Sequence, residues 1–322
     1  MVVLKSPVGL MTLLLLVLSS GVAVAEPFAW SVNSRGNEVD PQRVNALWRI
    51  NLQTGSADYV GWTSFLDLEG LALHPDGTLY GADDESKTTV RVSRQSGFAQ
   101  PIGGPLNRQN MGVPLTPNLD FGMAFDCEGQ GYVVSDMTQT LFTVNLETGA
   151  LTAVGPTGSL GAPITDIAIR GSQAFGIGVG TAGGGLPASP NLYAVDLASA
   201  TSTLIGPLGS QASQYNNAGL DFDAEGRLWA ITDRRAVAGN DWPSEILRID
   251  TATGQATRVA ETVVGLESLA ISVPTACEPD QGGGDPTEEG PVPIPTLGNA
   301  ALALLALLLG LLAASRLWLT RA

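Results

Sequence analysis

The chain has 322 residues, 31 of them acidic and 16 basic, for a formal net charge of −15. So few cations argue against a nucleic-acid partner, because phosphate contacts rest on clustered Lys and Arg. Gly is abundant at 39 residues while aromatics make up 6%, which suits many turns rather than long helices.

The N-terminus has three parts: Lys5, an apolar stretch over residues 8–18, and Ala23-Val24-Ala25 ahead of Glu26. A basic start, a short apolar core and a small-x-small site predict a secretory signal peptide over residues 1–25. The mature chain would then begin at Glu26.

Residues 28–273 repeat. A short apolar strand recurs as Gly70-Leu71-Ala72-Leu73, Gly122-Met123-Ala124-Phe125, Asp166-Ile167-Ala168-Ile169, Gly219-Leu220-Asp221-Phe222 and Ser268-Leu269-Ala270-Ile271. Polar turns such as His74-Pro75-Asp76-Gly77 follow, then a second strand with an aromatic near its start: Tyr80, Tyr132, Phe175 or Trp229. A third strand alternates in polarity, as in Leu141-Phe142-Thr143-Val144-Asn145. A turn such as Thr148-Gly149 then leads to a fourth strand, often ending in Val-Gly or Ile-Gly. Period-two alternation broken by Gly-containing turns is the pattern of antiparallel hairpins.

Four strands per roughly 50 residues, repeated, predict an all-β fold: a β-propeller spanning residues 26–277. The chain begins on a second strand, at Phe28-Ala29-Trp30-Ser31-Val32, and the last repeat strand is a lone first strand, Leu269-Ala270-Ile271. Joining the two completes a fifth blade from both chain ends and leaves no orphan edge. The expectation is a five-bladed ring.

Cys127 and Cys277 are the only cysteines, and an exported chain can oxidise such a pair. Cys127 falls in the turn after one first strand, and Cys277 lies six residues past the closing strand. Both therefore emerge on the same end of the ring. Six residues can span up to ~20 Å, so a disulfide is expected although the blades are not neighbours.

Residues 278–293 are rich in Gly, Pro and acid with no apolar pattern, and read as an extended linker. Residues 294–322 hold Ile294, Pro295, Thr296 and Leu297, then an uncharged run of Leu and Ala, then Arg316 and Arg321. The apolar run is long enough for a transmembrane helix across ~30 Å, and the terminal arginines favour a cytoplasmic C-terminus.

This C-terminal layout resembles the IPTL-CTERM sorting signal of Gram-negative bacteria, itself similar to the PEP-CTERM signal. The resemblance covers about residues 292–322. It implies an exosortase-type processing enzyme as partner, a precursor anchored in the inner membrane facing the periplasm, and delivery to the cell surface or extracellular matrix. The basic end, with two arginines, is shorter than the family often has. A permanent single-pass anchor is the competing reading.

Within the ring, first-strand starts and second-strand ends share one end of the axial channel, and acids gather there. Glu69, Asp120, Asp166 and Glu267 sit at first-strand starts, with Asn217 at the remaining one. Asp83, Asp84, Asp136 and Asp233 end second strands, beside Asn33. Oxygen ligands of this kind suit Ca²⁺, which takes about 6–8 oxygens. The metal-ligand expectation is Glu69, Asp120, Asp166, Asn217, Asp233 and Glu267. Solvated carboxylates and strand-capping Asp residues are the plain alternative.

The repeats also loosely resemble NHL and gluconolactonase-like propellers, some of which hold a divalent metal at the channel mouth with Glu, Asn and Asp. That resemblance implies Glu69, Asn217 and Asp233, with Asp166 or Glu267 as further oxygens, although those enzymes usually have six blades. The only histidine, His74, falls in a turn at the opposite end, so no Ser-His-Asp arrangement can form with the acids. Trp30, Trp48 and Trp229 lie within strands and read as core. Trp62 and Trp242 lie at a strand end and in a loop, where packing competes with stacking on a sugar ring. The sequence therefore supports two functions: a surface propeller that binds extracellular polysaccharide or another surface protein, or serves a structural role; and, alternatively, a metal-dependent hydrolase or lactonase at the acidic mouth.

Overall fold

The computed structural model describes residues 27–33, 45–183 and 185–277. The signal-peptide, linker, sorting-motif and transmembrane-helix expectations lie outside them. Among the described residues there is no helix; five antiparallel sheets form an all-β propeller.

Blade 5, which closes the ring, contains β1 (Phe28–Asn33), β2 (Ala46–Asn51) and β3 (Ala57–Trp62). Blade 1 runs from the channel outward as β4 (Leu68–Leu73), β5 (Leu79–Asp83), β6 (Thr88–Val92) and β7 (Ala99–Pro101). Blade 2 has β8 (Phe121–Phe125), β9 (Gly131–Ser135), β10 (Thr140–Val144) and β11 (Leu151–Ala153). Blade 3 has β12 (Ile164–Arg170), β13 (Gln173–Gly178), β14 (Asn191–Asp196) and β15 (Thr201–Pro207). Blade 4 has β16 (Asn217–Phe222), β17 (Leu228–Asp233), β18 (Pro243–Ile249) and β19 (Ala256–Val264).

Residues 266–271 supply the missing innermost strand of blade 5. Trp30 and Ala270 exchange both backbone hydrogen bonds, at 2.8 and 2.9 Å. Val32 N donates to Ser268 Oγ at 3.0 Å. The closure expected from the offset repeat is therefore present.

Period-two alternation divides each inner strand between two interfaces. Ile167 and Ile169 face blade 2 in one apolar cluster, while Ala168 between them faces blade 4 in another. There are five such clusters, one at each blade–blade seam, including Leu266 and Leu269 against Trp229 and Ile231, and Ala270 against Leu71. A ring of five sheets buries both faces of each only if every seam is filled. Near the axis the strands come so close that side chains do not fit. A Cβ on Gly122 would lie 2.3 Å from Asp166 Cα, and one on Gly219 would lie 2.4 Å from Leu269 N. Glycine there permits the backbone approach.

The lower end, where first strands finish, carries the tight turns. In Asn51, Asn145, Asp196 and Asp250 a side-chain oxygen accepts amides two and three residues on, at 2.9–3.1 Å. These are Asx turns, which explain the recurring Asn or Asp at these positions, ahead of Thr-Gly after Asn51, Asn145 and Asp250.

Candidate acidic site at the upper channel end

Glu69 occupies a β-bulge. Leu68 pairs with Asp83 and Gly70 with Ala82, so Glu69 is the extra residue between them. A bulge turns a side chain away from the regular pleat, and Glu69 Oε2 reaches across the seam to accept Phe121 N at 2.8 Å. Asp120 immediately precedes β8 with a left-handed φ of 45°, a conformation that Asp tolerates better than most residues. Asp84 follows β5 and is fully buried. Its Oδ1 accepts Lys87 Nζ at 2.5 Å and Leu119 N at 3.0 Å. Irregular backbone at two of the three positions thus gathers Glu69, Asp84 and Asp120, each with a carboxylate oxygen within 4.8 Å of the others.

Burial pushes the Glu69 carboxyl well above the usual carboxylate range, and the charges of Asp120, Asp67, Glu267 and Asp84 add to it. Asp136, beside the same group, is pushed up to about 8 by burial first and then by Asp120 and Asp84, against one backbone amide at Met137. Like charges crowded in a poorly solvated place favour the neutral form. Lys87 is buried completely, its ammonium 5.6 Å from the centre of the Phe121 ring.

The other expected ligands take different partners. Asp233 binds Arg235 through both oxygens, and Arg235 Nη2 also reaches Glu267 at 3.2 Å. Burial opposes the Arg235 charge, but Glu267 and Asp233 outweigh it and hold the guanidinium charged. Asp166 accepts three backbone amides from three blades: Met123 N at 2.9 Å, Ile167 N at 2.9 Å and Leu220 N at 2.6 Å. Burial nevertheless raises its carboxyl well above normal. Asn217 Oδ1 accepts Ala218 N at 2.9 Å. Of the trio implied by the gluconolactonase-like resemblance, Glu69 joins Asp84 and Asp120, Asp233 accepts from Arg235, and Asn217, paired with Asp233 across β16 and β17, accepts Ala218 N.

Asp84 stands in the group itself, and sequence reasoning had placed it only at a strand end. Lys87 and Arg235 were missed altogether; the one sequence signal is a cation three residues after Asp84 and an arginine pair directly after Asp233.

The lower end differs in kind. His74 lies in the β4–β5 turn, edge-on to Phe125 and Tyr80 with ring centroids 5.1 and 5.9 Å away. Asp76 Oδ1 is 2.9 Å from His74 Nδ1. Past the closing strand, residues 272–275 cross the channel end over a cavity of about 20 Å³ that β4, β8, β12 and β16 also line. Ser272 Oγ donates to Phe222 O at 3.0 Å. The crossing ends in a Cys127–Cys277 disulfide with a Cα–Cα distance of 5.1 Å. Trp229 and Trp48 are core residues, whereas Trp62 and Trp242 are half exposed.

Residues 292–318 match the family described as the IPTL-CTERM motif. That motif implies processing by an exosortase-type enzyme and export to the cell envelope or surface. No curated protein sequence matches the chain. Similar solved structures include a symmetrical protein from work on de novo evolutionary emergence shaped by folding constraints. It shares 15% identity, with 77% of this chain and 100% of that chain covered and a TM-score of 0.45. Hydrazine synthase of Kuenenia stuttgartiensis shares 16% identity over 67% of this chain and 60% of that chain, with a TM-score of 0.36. A catalytically inactive virginiamycin B lyase from Staphylococcus aureus with quinupristin shares 11% identity over 73% of this chain and 71% of that chain, with a TM-score of 0.40.

Proposed function

We propose that this chain is an exported propeller, anchored first by its C-terminal helix, then cut near Ile294-Pro295-Thr296-Leu297 and displayed at the cell surface or in the matrix as a binding module. The observation that carries the reading is the motif match at residues 292–318 behind a ring whose last residue in the described fold is the disulfide-bonded Cys277. Extracellular polysaccharide or another surface protein is the partner class. Half-exposed Trp62 and Trp242 supply apolar faces on which a sugar ring can stack. The test is Pro295→Ala with Thr296→Ala, followed by mass spectrometry of the mature C-terminus. Export should persist and C-terminal processing should stop; an unchanged mature C-terminus overturns the reading.

A second reading, a metal-dependent hydrolase or lactonase, draws support from the grouping of Glu69, Asp84 and Asp120. Calcium-dependent turnover of simple lactone or ester substrates, lost in Asp120→Asn, would decide for it.

A further inference from the structure

We propose that Glu69, Asp84 and Asp120, backed by Asp136, form a binding site for one hard divalent cation of the calcium class at the seam between blades 1 and 2. The first support is metric. Two oxygens each ~2.4 Å from a shared ion can lie no more than ~4.8 Å apart, and the three carboxylates present oxygens that meet this limit pairwise.

The second support is unspent bonding capacity in a buried place. Asp84 is completely buried; its Oδ1 serves Lys87 and Leu119, while Oδ2 is shielded from solvent without a hydrogen-bond partner. Asp136, exposed by only 3%, likewise has Oδ1 buried without a partner. Its carboxyl lies close enough to Asp120 and Asp84 to be perturbed by both. A buried acceptor left unmade costs ~1–3 kcal/mol, more when charged. Asp84 Oδ2, the unsatisfied oxygen within the group of three, is the acceptor that a cation there would satisfy.

Chemistry then selects the ion. The donors are all carboxylate oxygens; His74 lies at the other end of the channel and both cysteines are in the disulfide. Hard donors without nitrogen or sulfur favour Ca²⁺ or Mg²⁺ over transition metals. The donors come from a bulge, a left-handed residue and a turn on two blades, an irregular set that suits the tolerant coordination of Ca²⁺ better than the strict octahedron of Mg²⁺.

The inference goes beyond the surface-binding reading and stands or falls independently of sorting. The experiment uses the full-length protein in detergent, stripped with a chelator and titrated with CaCl₂ alone by calorimetry and by thermal melting. Expected are one ion per chain, an affinity near the ~10⁻⁴–10⁻³ M of extracellular calcium modules, and a Tm rise of about 3–6 °C at tenfold excess over Kd. Mg²⁺ should raise Tm less. Asp120→Asn, at the partly exposed edge, should weaken binding ~10-fold or more, and Asp84→Asn at least as much. Asp76→Asn at the lower end should bind as wild type does. No heat and no Tm shift up to about 10 mM, or wild-type binding by Asp120→Asn, overturns the proposal; the carboxyls then hold protons only. If Asp84→Asn does not fold, Asp120→Asn decides.

Discussion

Aspartates occur at both ends of this ring, but they do different things there. At the lower end their oxygens are consumed locally. Asp126 Oδ1 accepts the amides of Glu128 and Gln130, and Asp223 takes the Arg227 amide on one oxygen and Trp229 Nε1 on the other. These carboxylates complete turns. At the upper end Asp84 and Asp136 each keep a buried oxygen that no protein group satisfies. The difference lies in unspent acceptor capacity rather than in the number of acids, and it is the premise of the proposed cation site. The lower end is also covered by residues 272–275 and tied by the disulfide; on the proposed reading the two ends divide bracing from binding.

The largest expected effect tests whether the two ends depend on one ring. Truncation before residue 266 removes the strand that pairs with Trp30 and fills two seams through Leu269 and Ala270. Blade 5 loses its innermost strand, and both neighbouring clusters open to water. Cooperative thermal unfolding should disappear; a truncated chain melting near the wild-type temperature would show that the blades stand without closure.

Lys87→Met sharpens the upper half of the comparison. The substitution leaves Asp84 buried beside Asp136 and Asp120 without its cation. Breaking one partner of a buried pair costs about 3–5 kcal/mol. Chemical denaturation of cation-free protein should show a loss of that size, whereas Arg91→Met on exposed blade surface should cost less than about 0.5 kcal/mol. Equal losses would mean that the upper cluster is no more interior than the rim.

The ring was legible because its signals are local and additive. Period-two strands, Gly-containing turns and a repeat offset by one strand predicted five blades, closure at Ala270 and a reachable Cys127–Cys277 pair. The upper site was only half legible. Strand starts put Glu69 and Asp120 at the right end, but nothing in the spacing reveals the bulge that turns Glu69 across the seam. Asp166 looks the same in sequence as the other strand-start acids, yet its oxygens bind amides of three blades. That outcome depends on how closely Gly122 lets two backbones approach, a tertiary property. Lys87 carries no sequence signal of its own; its burial against Asp84 and beside the Phe121 ring is a tertiary outcome.

Removing the disulfide tests the lower brace. The bridge joins residues 150 apart in sequence, and crosslinks of that span limit the unfolded chain by about 2–4 kcal/mol in practice. Cys277→Ser paired with Cys127→Ser should lose that much stability in denaturant without a change in calcium response at the upper end. A calcium affinity altered as strongly as the stability would mean that the two ends are coupled rather than divided.

The smallest effect expected is a change in pH dependence at the lower end. Asp221 lies under residues 272–275, where its Oδ2 accepts Ile271 N at 2.6 Å and its Oδ1 accepts Phe222 N at 2.7 Å. Burial pushes its carboxyl up to about 7 despite those amides and that of Ser272. The folded chain therefore keeps a proton on Asp221 at pH values where the unfolded chain has released it. Stability from this group is full below the unfolded value near 3.8 and is lost as pH rises through about 7. Between pH 5 and pH 8.5 the wild-type Tm should consequently fall, and Asp221→Asn, which cannot ionise, should flatten part of that fall. Other buried acids raised above normal, Asp166 among them, account for what remains. Melting curves of both proteins at the two pH values measure the difference. An identical fall in the variant would mean that Asp221 is ionised throughout, with its amide partners outweighing its burial.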